Sequence, residues 1–112
     1  MHHWTADFLA SPKTFFKVIA NTDHVQVAAM NLKQGQTSGE YGTDHPHADQ
    51  ILLVLAGQGW AKVEGKTCEL HPGDVLLICA GEKHQIRGES VGLFETINFY
   101  SPIAYPEEMD VE

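Results

Sequence analysis

Residues 50–79 read QILLVLAGQGWAKVEGKTCELHPGDVLLIC, and the fold class follows from how this stretch is punctuated. Ile51 to Leu55 and Val75 to Cys79 are apolar throughout, yet each is too short for an ordinary helix. Breakers bound them: Gly57-Gln58-Gly59 after the first and Pro72-Gly73-Asp74 before the second. Between them, Trp60 to Val63 and Thr67 to Leu70 flank Glu64-Gly65-Lys66, the signature of a hairpin. The same grammar extends outward. Phe15 to Ala20 and Val25 to Leu32 are strand-like around the turn cluster Asn21-Thr22-Asp23, and Lys33 to Asp44 is a Gly-rich loop. His84 to Arg87 and Val91 to Tyr100 supply two more strands, while helix is confined to one turn near Thr5 to Leu9. Short strands at this spacing predict an all-β sandwich or barrel.

The chain has 112 residues, which predicts one domain over 1–112, with an N-terminal arm at 1–12 and an acidic, frayed tail at 106–112. With 43% hydrophobic and 20% charged residues it can bury a core. No apolar run reaches the ~20 residues of a bilayer-spanning helix. The start of the chain lacks a basic, apolar leader, so the expected location is cytoplasmic. A formal charge of −8 opposes a phosphate backbone and excludes nucleic acid as a partner. Cys68 and Cys79 have neither disulfide-framework nor zinc-ribbon spacing, and Cys79 is expected to pack as a small buried hydrophobe.

An antiparallel strand with one wet face should alternate, but Ile51 to Leu55 and Val75 to Cys79 do not. Something must cover their outer face. In so small a chain this predicts a homodimer, the alternative being a terminal segment carrying Phe8, Phe15 and Phe16 folded across it.

Seven histidines are unevenly spread, with His45-Pro46-His47 close before Gln50 and His84 well downstream. On extended backbone a His-x-His pair presents both rings on one face, where they can share a metal ion with a third imidazole. The pattern Gly39-x5-His45-x-His47-x2-Gln50-x6-Gly57, followed by Gly73-Asp74-x4-Cys79-Ala80-Gly81-x2-His84, resembles the two motifs of the cupin superfamily. The resemblance implies a double-stranded β-helix, or jelly-roll, with a metal near its mouth held by His45, His47, Gln50 and His84. Gln50 stands where the family usually has Glu, and the gap from His47 is one residue shorter than usual. Asp49 therefore competes as the oxygen ligand, although strand parity, which points Gln50, Leu52, Val54 and Ala56 one way, favours Gln50.

Three imidazoles and an amide are neutral, so a divalent ion keeps its full charge and suits a small anionic, chelating substrate. The ligand types do not choose among Fe, Mn, Ni, Cu and Zn. Glu95, on the parity of Leu93, Ile97 and Phe99, is the candidate general base, and Arg87 alternates outward from His84. His2, His3, His24 and His71 are placed outside the site. Two functions follow: a metalloenzyme with dioxygenase or isomerase/lyase-type chemistry, or a non-catalytic small-ligand or metal-binding sensor module.

Overall fold

The runs punctuated by Gly and Pro become strands, and no helix occurs among the described residues. The structure, a computed structural model, describes Met1, His3, residues 15–105 and Asp110–Val111. In chain order the strands are β1 (Phe16–Asn21), β2 (Gln26–Leu32), β3 (Asp49–Ala56), β4 (Gly59–Val63), β5 (Lys66–Leu70), β6 (Val75–Ile78), β7 (His84–Gly88), β8 (Phe94–Ser101) and β9 (Asp110–Val111). They form a six-stranded antiparallel sheet, ordered β6-β3-β8-β2-β1-β9, and a three-stranded one, ordered β5-β4-β7. The 33–48 loop ties itself to β7 through bridges from Thr37 to Arg87 and Gly42 to His84.

Register decides what faces inward. Gln50, Leu52 and Val54 of β3 lie beside Tyr100, Asn98 and Thr96 of β8, which lie beside Gln26, Ala28 and Met30 of β2. All nine are buried. These cross-strand rows grade from polar at one end, Gln50-Tyr100-Gln26, to apolar at the other, where Leu32 pairs with Phe94. Leu32, Leu52, Val54, Ile78, Ile86 and Phe94 pack as the fully buried centre. Gly57 ends β3 at φ +78° where the backbone meets the Leu93 carbonyl, a place that excludes any Cβ.

The opposite parity of β3 and β6 is open. Ile51, Leu55, Val75 and Leu77 are 43%, 41%, 66% and 56% exposed, although both strands are apolar on that side. Phe15 and Phe16 do not cover this face: Phe16 belongs to the core and Phe15 lines an internal pocket. The expected final strand starts at Phe94 rather than Val91, because Ser90 to Gly92 form a turn closed by Ser90 Oγ donating to the Gly92 carbonyl at 3.3 Å. Two residues of the tail expected to fray, Asp110 and Val111, pair with Lys17 and Phe16 of β1. Cys79 is exposed rather than packed, because the chain leaves β6 at Ile78 and turns outward. The helical turn expected near Thr5 to Leu9, Phe8, and most of the arm and tail lie outside the described residues. No helix among the described residues is long and apolar enough to cross a membrane.

Candidate functional site

A buried polar ladder crosses the inner face of the large sheet, and its direction can be read from its last rung. The Met30 carbonyl can only accept, so the Thr96 hydroxyl donates to it at 2.8 Å. Asn98 Nδ2 then donates to Thr96 Oγ1 at 3.1 Å, and Gln50 Nε2 donates to Asn98 Oδ1 at 2.8 Å. This leaves Gln50 Oε1 aimed at His45 Nε2, 2.7 Å away. His45 Nδ1 lies 3.0 Å from the Ala48 carbonyl and must donate to it. In a neutral imidazole the other nitrogen is then a bare lone pair, which here faces the lone pairs of an amide oxygen. A positive charge resolves that opposition, either a proton on Nε2 or a cation shared by both atoms.

His84 repeats the arrangement. Its Nδ1 lies 3.0 Å from the Glu82 carbonyl, so its Nε2 is also a free acceptor, and its ring centroid is 4.6 Å from that of His45. Burial pushes the His84 pKa down, outweighing the Glu82 carbonyl that raises it, so the neutral form is favoured. Imidazoles whose second nitrogen is tied to a backbone carbonyl are oriented as metal ligands commonly are. His45 Nε2 and Gln50 Oε1 thus meet as neutral donors with the His84 ring beside them, and these are atom types that suit a divalent transition metal. Among the described residues no three His, Cys, Asp or Glu side chains gather as a metal cluster, and the oxygen here comes from an amide.

The other expected residues are placed elsewhere. His47 is exposed, because His45 to Ala48 is a turn, with Ala48 N donating to the His45 carbonyl at 3.1 Å and Pro46 at its second position. The period of two belongs to strands and does not hold there; Pro46 was the signal. Asp49 faces away from His45 and accepts from Ala80 N at 2.8 Å, so Gln50 is the oxygen brought to the imidazoles. Glu95 is half-buried on the outer parity of β8, opposite Ala56 and Asn31, and does not enter the pocket. Asn98, Thr96 and Gln26 were missed, and their signal was weak: β8 also carries Glu95 and Ser101, and Gln26 stands at the start of β2.

Above the donors lies a cavity of about 120 Å³ whose walls include Phe15, Phe16, Met30, Ile86, Tyr100 and Tyr105. Asp44 is its carboxylate, and none of the described residues lining it is Lys or Arg. Tyr100 meets the His45 ring edge-on at 5.2 Å between centroids, and Tyr105 meets Tyr100 in the same way, also at 5.2 Å. Burial holds Tyr100 well above the usual tyrosine range, and burial with the Asp44 charge pushes Tyr105 up to about 12, so both phenols stay protonated.

The family model described as Cupin domain matches residues 28–98, more than half of the chain. One curated relative, named (R)-mandelonitrile lyase, from Granulicella tundricola, is 52% identical over 42 residues. That match covers 36% of this chain and 32% of the relative, so it spans about a third of each. Among solved structures, a Bacillus halodurans protein superposes with a TM-score of 0.86 at 24% identity, covering 99% of this chain and 89% of that one. An RmlC-like cupin family protein with a double-stranded β-helix fold from Methanocaldococcus jannaschii gives 0.74 at 17% identity, covering 91% and 93%. KdgF from Halomonas gives 0.72 at 22%, covering 91% and 87%. At these identities the structural likeness establishes the fold.

Proposed function

This chain belongs to the cupin family, and from that premise we propose that it is a metal-dependent enzyme of the lyase type. In this reading His45, Gln50 and His84 hold one divalent ion of Fe, Mn, Ni, Cu or Zn, and His47, exposed on the adjoining turn, joins them only by swinging its ring inward. The observation that carries it is the pair of opposed lone pairs on His45 Nε2 and Gln50 Oε1, 2.7 Å apart, each fixed in direction by a backbone carbonyl. When bound, the ion supplies Lewis acidity to a substrate oxygen. The residues do the rest. The aromatic walls exclude water and seat a compact apolar body, and Asp44, the carboxylate of the pocket, takes the proton-acceptor role expected of Glu95. An acidic pocket with no Lys or Arg among its described lining residues favours an uncharged substrate over the anionic one expected from ligand charge. The partial likeness to a lyase of an aryl substrate supports the same class. A second copy on the exposed β3–β6 face completes the reading.

The test is elemental analysis after loading with each of the five ions, beside His84→Ala and Gln50→Ala. One ion per chain is expected in the parent, with at least tenfold weaker retention in either variant. Stoichiometric metal in folded His84→Ala would sink the site. Mandelonitrile cleavage, followed as benzaldehyde absorbance, is expected with the loaded protein and absent in Asp44→Asn. Metal binding without turnover would move the protein to the binding-module class.

A further inference from the structure

Gln26 is fully buried, and its side chain is spent on the backbone of another segment. Its Nε2 donates to the Tyr105 carbonyl at 2.8 Å, while its Oε1 accepts from Tyr105 N at 3.1 Å and Ala104 N at 3.2 Å. A buried amide satisfied wholly by one short stretch fixes that stretch in place. Gln26 sits in the polar end row with Tyr100 and Gln50, so the clamp belongs to the same end of the sheet as the donor set. What it holds is Tyr105, whose ring packs edge-on against Phe16 at 4.9 Å and stands 6.3 Å from His45.

The phenol borders the cavity beside Tyr100 and Asp44. The Tyr105 and Tyr100 rings stand edge to face at 5.2 Å between centroids, so two phenols border the cavity side by side. A phenol carries one O–H, and on the cavity wall an acceptor of a bound molecule can take it from Tyr105. Among the described lining residues the other neutral hydroxyl is Ser38, which accepts from Ile86 N at 3.0 Å.

We propose that Tyr105 is the specificity-determining hydrogen-bond donor of the pocket, with Gln26 as its positioning residue. Together they select small molecules that carry a second acceptor beside the metal-binding oxygen and a compact apolar body. This rests on the metal reading above. A carbonyl or hydroxyl oxygen next to the coordinating atom, as in α-oxygenated aryl compounds, meets both demands.

The probes are benzohydroxamic acid, which offers two adjacent oxygens, and thiophenol, which offers a metal-binding sulfur and the same ring without a second acceptor. Calorimetric titration of metal-loaded Tyr105→Phe is expected to show benzohydroxamic acid weakened roughly five- to tenfold, with metal content and thiophenol affinity unchanged. Gln26→Leu should reproduce that selective loss, and the double variant should be no worse than the weaker single. A loaded parent that ignores benzohydroxamic acid, or a Tyr105→Phe that binds it as the parent does, overturns this inference alone. Equal loss of both probes in Tyr105→Phe overturns it too, since it marks collapse of the pocket. A parent that takes up no metal overturns the metal reading and this one with it.

Discussion

Asn98 offers nothing to the cavity, yet the direction of the Gln50 amide depends on it. Its Oδ1 takes the Gln50 Nε2 hydrogen and its Nδ2 passes the chain of donors on to Thr96, so both ends of its amide are committed in a fully buried place. Asn98→Leu keeps the volume and removes both bonds. It is expected to cost about 1–3 kcal/mol in urea denaturation, because Gln50 Nε2 is left unpaired and Thr96 Oγ1, still donating to the Met30 carbonyl, loses the hydrogen it accepts. It should also weaken metal binding by roughly 10- to 100-fold in a competition titration, the usual scale for an outer partner that orients a ligand. Unchanged metal affinity in a destabilised Asn98→Leu would show that the ladder serves the fold and not the ligand. The same residue marks what the sequence hid. His45, Gln50 and His84 stand out by type and spacing, whereas Asn98 and Thr96 gain meaning from the strand beside them, which no local pattern displays.

At the scale of elements, the strand limits were legible because Gly and Pro mark nearly every one, but the facing of strands was legible only where one side is polar. β3 carries Gln50 on its inner parity, and that polar residue among apolar ones gave its facing away. β8 misled, since Leu93, Ile97 and Phe99 are more apolar than Thr96 and Asn98, yet they lie on the outer parity and take Glu95 with them. The rule that the apolar side goes inward presumes a wet exterior. The outer face of β3, β6 and β8 is apolar as well, so the rule finds no contrast to read. Punctuation, by contrast, is a matter of sterics and can be tested directly. At Gly57, φ is +78° and an added Cβ would meet the Leu93 carbonyl oxygen, the Phe94 Cα and Ser90 Oγ. Gly57→Ala is therefore expected to cost about 2–4 kcal/mol in chemical denaturation, from left-handed strain plus a contact with backbone that cannot yield. A loss below 1 kcal/mol on the same scale would mean that the β3–β4 connection is looser than this close approach implies.

For the whole molecule, the exposed apolar side chains of β3 and β6 are not scattered. Ile51 lies between Leu77 of β6 and Phe99 of β8, and Leu53 lies between Val75 and Ile97, so the residues form two adjoining cross-strand rows on one face. A contiguous apolar patch on a small domain marks an interaction surface. Sedimentation at micromolar concentration is expected to give twice the chain mass for the parent and the chain mass for Leu77→Glu combined with Ile51→Glu, with metal content retained. A monomeric parent would remove the second copy. β3 thus serves two masters, with Gln50 committed to the pocket, Leu52 and Val54 to the core, and Ile51 and Leu55 to the outer face. One residue inserted or deleted within it would exchange the two sets, turning the amide ligand out and the greasy row in. Such a strand can drift in composition over evolutionary time but not in length. The chain differs by one position from the usual spacing between the second histidine and the oxygen ligand, and that difference falls at the His45–Ala48 turn, before β3 begins at Asp49. An indel there spends itself in a bend and leaves the pleat undisturbed. The turn is the seam at which a lineage can recut the spacing of its histidines without reweaving the sheet.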